Sequence, residues 1–119
     1  MLVDHDQTDK YKDEYDVLVR RFSPILAKTA DVKHSLGMAI SRFEPGETVR
    51  EHINKPHVEE MFIVLDGEVE VIIEEDKKIL RSGDASFAEV GQRHRFSNVG
   101  TGTARLLSIW WRVKAETTD

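Results

Sequence analysis

Two stretches decide how this chain reads: GETVREHINKPHVEEMFIVLDG, residues 46–67, and GDASFAEVGQRHRFSN, residues 83–98. The first places His52, His57, Glu59 and Glu60 just ahead of an apolar run that ends in Asp66-Gly67. The second carries His94 beside a turn. Together they offer three imidazoles and at least one carboxylate. That donor set suffices for a divalent transition metal: neutral imidazole suits iron, zinc, nickel and copper, and carboxylate suits manganese and iron.

Outward from these stretches the pattern is one of short strands. Residues 61–65 form a continuous apolar run, followed by Asp66-Gly67 and then residues 68–73, in which Glu68 and Glu70 alternate with Val69 and Val71. An Asp-Gly pair between two such runs predicts a β-hairpin with a type I′ turn, in which both central residues need positive φ. Glu74-Glu75-Asp76-Lys77-Lys78 reads as a second, solvated turn. Four further strands are expected at 79–80, 86–88, 93–97 and 104–113. Upstream, 17–22 reads as a strand stopped by Ser23-Pro24, and 34–43 as another. In the latter, the small residues Gly37, Ala39 and Ser41 share one face, and Leu36, Met38, Ile40 and Arg42 share the other. No segment shows a helical period. Short strands punctuated by glycine indicate a sandwich or small barrel.

The alternation assigns faces. If Glu60 points inward, so do Phe62 and Val64, which leaves Met61, Ile63 and Leu65 on the opposite face and in need of cover. His94, Phe96 and Asn98 share a face, and Trp110 and Trp111 point to opposite ones. The strand containing LLSIWW is apolar on both faces, which fits either a plain buried strand or a subunit contact.

The two stretches resemble the two motifs of the cupin superfamily, written G-x5-H-x-H-x3-4-E-x6-G and G-x5-P-x-G-x2-H-x3-N. In the second, Gly83, Gly91, His94 and Asn98 match, and Glu89 stands where proline is usual. In the first, Gly46, His52, Glu60 and Gly67 match. The second histidine is displaced: Lys55 or Pro56 falls at its place, and His57 is the nearest imidazole. The His52-to-Glu60 interval is also longer than the motif's. The resemblance implies an all-β, small antiparallel jelly-roll barrel and a divalent metal (iron, manganese, zinc or nickel) held by His52, His57, Glu60 and His94. His57 reaches such a site only if the long interval bulges. Glu59, expected to point away from Glu60, is a candidate partner for a ligand histidine's other ring nitrogen. Arg42, Arg93, Arg95 and Arg112 are candidate docking groups for a substrate carboxylate. Tyr11 and Tyr15 lie too far upstream to count toward the site.

Bulk properties narrow the classes. A chain of 119 residues fits one domain. With 17 basic and 22 acidic residues the formal charge is −5, and no Lys/Arg-rich run suggests nucleic acid. No apolar run approaches membrane-spanning length, and no signal peptide is visible. The absence of cysteine rules out disulfides and thiolate zinc sites, and fits the cytoplasm. Nothing supports nucleophilic catalysis or a phosphate loop. Residues 1–16 are acidic and aperiodic and read as a loosely draped arm ahead of a single barrel domain over 17–119. The functional expectation is a metal-dependent enzyme, such as an isomerase, lyase or dioxygenase, acting on a small and possibly carboxylate-bearing molecule. The alternative is a metal- or ligand-binding barrel without turnover. A homodimer is expected in either case.

Overall fold

A computed structural model describes residues 1–28 and 35–113. Among the described residues the ten strands are β1 (Lys12–Glu14), β2 (Val17–Arg21), β3 (Leu36–Phe43), β4 (Thr48–Ile53), β5 (Val58–Asp66), β6 (Glu68–Ile73), β7 (Asp76–Arg81), β8 (Ala85–Ala88), β9 (Arg93–Asn98) and β10 (Ala104–Arg112). One sheet has the order β1-β2-β3-β10-β5-β8 and the other β4-β9-β6-β7. All pairings within them are antiparallel. The expected all-β jelly-roll is the fold. The one α-helix among the described residues is a single turn, Ser23–Leu26, with proline at its start. The 34–43 strand is found over Leu36–Phe43; His34 lies outside the described residues.

Period-2 alternation builds the core. On β5, Glu60, Phe62 and Val64 face the interior, and on β9 His94, Phe96 and Asn98 do the same. They meet Val69 and Val71 of β6, Ala104 and Leu106 of β10, and Ala39 and Phe43 of β3 between the sheets. Met61, Ile63 and Leu65 lie half-buried on the outer face, where β10 sets Ile109 beside Met61 and Leu107 beside Ile63. Trp110 packs against the core, and a β-carbon on Gly37 would fall 2.0 Å from its ring, so glycine is what lets the indole lie flat on β3. Trp111 faces out, donates its indole N–H to Glu59 and stacks on Phe87.

Two expectations are corrected here. Asp66-Gly67 does not close a hairpin. β5 and β6 belong to different sheets, so the turn carries the chain across the sandwich. Gly67 has φ of +91°, but Asp66 is not at positive φ, as a type I′ turn requires. The hairpin actually formed joins β6 to β7 through Glu74-Glu75, with Ile73 paired to Asp76. Nor is the N-terminal segment loosely draped. β1 pairs with β2, Tyr11 is buried, and the Asp4 carboxylate accepts from both Lys10 and the buried Arg20 guanidinium. Composition missed this because a few specific contacts, rather than average hydropathy, hold the segment down.

Asn98 shows how the second motif serves the fold. Its amide donates to the Phe43 and Gly102 carbonyls, and its side-chain oxygen accepts from Gly100 N–H. It therefore ties the loop leading to β10 and lies apart from the cavity.

Candidate metal centre

Three side chains from three strands converge between the sheets. His52 comes from β4, His94 from its neighbour β9, and Glu60 from β5 of the opposite sheet. One donor atom from each lies within 4.8 Å of the others. His52 Nε2 and His94 Nε2 are 3.0 Å apart, and His94 Nε2 is 3.7 Å from a Glu60 oxygen.

A β-bulge puts His52 there. Val49 pairs with Phe96 and His52 with His94, so three steps along β4 match two along β9. In a regular strand, residues three apart point to opposite faces. The extra residue in the Arg50–Glu51 stretch turns both Val49 and His52 inward. The bulge expected between His52 and Glu60 thus lies upstream of His52.

His57 is not brought in. The longer interval is taken up by the loop after β4, where His57 has φ of +68°, exposes its side chain and accepts the Val113 N–H on its backbone carbonyl. Glu59 is engaged with Trp111 on the outer face and supports no histidine.

Each imidazole is aimed by its other nitrogen. His52 Nδ1 lies 2.9 Å from the Arg50 carbonyl, and His94 Nδ1 lies 3.1 Å from the Gln92 carbonyl. A carbonyl only accepts, so each contact needs a proton on Nδ1. The close Nε2 pair needs a third. Two neutral imidazoles carry two protons. His94 does not supply the extra one near neutrality, because burial, and then the neighbouring His52, push its pKa down to about 4. Burial also lowers that of His52. With both Nδ1 atoms donating, two bare Nε2 lone pairs face each other 3.0 Å apart, which favours a cation between them.

Glu60 has the opposite problem. Burial raises its pKa to about 7, against the favourable effects of Asn54, Ser108 and Arg21. A divalent cation would offset the cost of burying this charge.

The centre adjoins a cavity of about 280 Å3. His52 and Glu60 line it, while fully buried His94 sits behind them. Tyr15, Phe62, Phe96 and Trp110 supply aromatic wall, Ser41 and Ser108 supply hydroxyls, and Arg21 and Lys55 supply the cations. None of Arg42, Arg93, Arg95 and Arg112 lines it; Arg93 is paired with Glu74 on the surface. Ser41 was legible from its small-residue face, and Ser108 from alternation with Leu106 and Trp110. Arg21 follows from Val17 and Val19 by the same rule. Tyr15 left no such signal, because its place comes from a turn.

A family model described as "Cupin domain" matches residues 39–110. Among curated proteins, "Polyketide synthase CurC" of Streptomyces cyaneus is 38% identical over 72 residues, covering 60% of this chain and 45% of that protein. "Protein SchB" of Streptomyces halstedii is also 38% identical over 72 residues, covering 60% and 50%. The chain thus matches about half the length of these relatives. A Cupin 2 conserved barrel domain protein from Salinispora arenicola CNS-205 has the same fold, with a TM-score of 0.79 at 18% identity over 95% of this chain and 90% of that one. The match to the family model spans both histidine-bearing stretches and the strands that carry them, and by it the chain belongs to the cupin domain family.

Proposed function

We propose that this protein is a divalent-metal-dependent enzyme that acts on a small molecule of the polyketide kind, with His52, Glu60 and His94 as the protein ligands. The proton count carries the reading: three contacts to imidazole nitrogens share two protons, in a place where a third is disfavoured. A metal bound there would supply Lewis acidity toward a substrate oxygen or lower the pKa of a bound water.

The chain's own residues set the rest. Because His52 and Glu60 face the cavity and His94 lies behind them, the donor set opens toward whatever fills the cavity. Trp110 and Phe96 offer flat apolar surface to an unsaturated ring. Arg21 and Lys55 suit an acidic oxygen, whether carboxylate or enolate. A polyketide-type substrate agrees with that wall and with the name of the Streptomyces cyaneus relative. The half-buried outer row of Met61, Ile63 and Leu65, with Leu107 and Ile109, supports a homodimer.

The test begins with elemental analysis of protein purified without tag or chelator. Near-stoichiometric iron, manganese, nickel or zinc is expected, and loss of it in His94→Ala. Metal-loaded protein is then incubated with phenolic and β-keto acids, with product followed by mass spectrometry. Absence of metal from every preparation would refute the centre. Metal-independent conversion would refute its role, and tight binding without turnover would favour the non-catalytic barrel.

A further inference from the structure

Tyr15 lies ahead of the residues that the cupin model matches, at the tip of the hairpin formed by β1 and β2. Its ring stacks on the His52 imidazole, with centroids 4.1 Å apart and planes 17° from parallel. His94 meets the same imidazole edge-on, at 4.2 Å and 71°. We infer that Tyr15 is a positioning residue for the metal centre, holding the His52 ring in the plane that aims Nε2 at His94 and Glu60. The inference rests on the metal-site reading above.

Three further observations converge on it. First, the backbone of the same residue braces the bulge. Arg50 N–H donates to the Tyr15 carbonyl at 3.0 Å, and the Arg50 carbonyl in turn faces His52 Nδ1. Tyr15 therefore constrains His52 from two directions, ring on ring and through the backbone of the bulge that turns His52 inward. Second, the tip is held in a costly conformation. Tyr15 and Asp16 have φ of +54° and +69°, with Glu14 paired to Val17. That is the two-residue loop in which glycine or asparagine is preferred, and a bulky residue there is an outlier. Strain of this kind persists where the surroundings over-determine it, and it gathers at functional sites. Third, the hairpin is tied down next to its tip. Arg21 donates to both oxygens of Glu14, the residue before Tyr15, at 2.6–3.1 Å. Without the tyrosine, the half-buried His52 ring would have one face open, and only its hydrogen bond to the Arg50 carbonyl and the edge-on His94 would resist its turning.

The test uses the full chain and Co2+ as probe, with affinity measured by chelator competition and the donor set by its visible absorption. Tyr15→Phe keeps the ring and should bind within about twofold of the parent. Tyr15→Asn removes a ring that packs against the core but suits positive φ better than tyrosine, so the two effects oppose each other and its Tm should shift little. Its Co2+ affinity should nonetheless fall about 10–100-fold, the usual loss when a ligand's supporting contact is removed. Tyr15→Ala should weaken binding to a similar extent. A merely structural tyrosine predicts instead that stability and affinity move together. Co2+ binding by Tyr15→Asn within twofold of the parent would overturn the inference while leaving the metal reading intact, provided His52→Ala abolishes uptake. An equal loss in Tyr15→Phe would overturn the stacking role. Failure of both the Asn and Ala variants to fold would assign Tyr15 to the fold instead. No uptake by the parent would remove the metal reading, and this inference with it.

Discussion

Replacing Glu60 by glutamine should stabilise the metal-free protein at alkaline pH while destroying its metal site. Glu60 is 6% exposed, and burial lifts its pKa from 4.5 to about 7. Keeping that carboxylate charged in the fold therefore costs about 3 kcal/mol. The folded pKa lies above the unfolded one. The stability this group contributes is thus fully present below pH 4.5 and lost as pH rises through 7. At pH 8 the parent bears the whole cost and the Gln variant none, so the variant should be more stable by up to about 3 kcal/mol. At pH 4.5 both side chains are neutral and the difference should vanish. His94 runs the other way. Its folded pKa of about 4 lies below the unfolded 6.5, so its contribution is present above 6.5 and lost as pH falls through 4. Between 4.5 and 6.5 the two slopes nearly cancel in the parent, while the Gln variant should lose stability on acidification, His52 adding in the same direction. Urea denaturation of chelator-treated protein, followed by circular dichroism from pH 4.5 to 8, measures both curves. A stability difference that is absent at pH 8, or that does not depend on pH, would refute the reasoning.

Three further outcomes are expected. Gly67→Val should cost about 2–4 kcal/mol in urea denaturation, because φ is +91° and the new β-carbon would sit 3.0 Å from Ala104 Cα, whereas Glu68→Gln, which loses an exposed 3.6 Å pair with Arg81, should stay within about 1 kcal/mol. Deleting residues 1–12 removes the buried Tyr11 and should cost about 2 kcal/mol, read as a Tm lower by about 5–10 °C; an unchanged Tm would show that the docked segment adds nothing. Sedimentation at tens of micromolar should show a homodimer, and substituting Ile63 or Ile109 by lysine should yield monomer; a monomeric parent would leave the outer row of Met61, Ile63 and Leu65 without a partner.

What the sequence revealed and what it concealed divide along a physical line. Alternation is local, so it placed Glu60 with Phe62 and Val64, His94 with Phe96, and Trp110 opposite Trp111 correctly. Turn chemistry is local as well, but it fixes φ without choosing a partner strand. Gly67 does have positive φ, yet β6 pairs with β7 and β9, because the apolar faces of β5 and β6 are better buried across the sandwich than side by side. The site needed information that no local rule holds. Bulges leave no compositional trace, so a count back from Glu60 reached Lys55 or Pro56 and left His57 as the nearest imidazole. The extra residue in fact lies at Arg50–Glu51 and redirects His52. Tyr15 is the extreme case. It is 37 positions from His52, in a turn that carries neither glycine nor asparagine, within a segment whose composition argued for disorder. Its position follows from Asp4 and Arg20 fastening the N-terminal segment to β2, from Glu14 and Arg21 clamping the hairpin, and from the Arg50 amide finding its acceptor there. Each of these is a specific polar contact that no periodic pattern announces. The fold was legible because burial repeats along the core strands β5, β9 and β10, whereas the aiming of His52 was not, because it depends on single contacts that occur once.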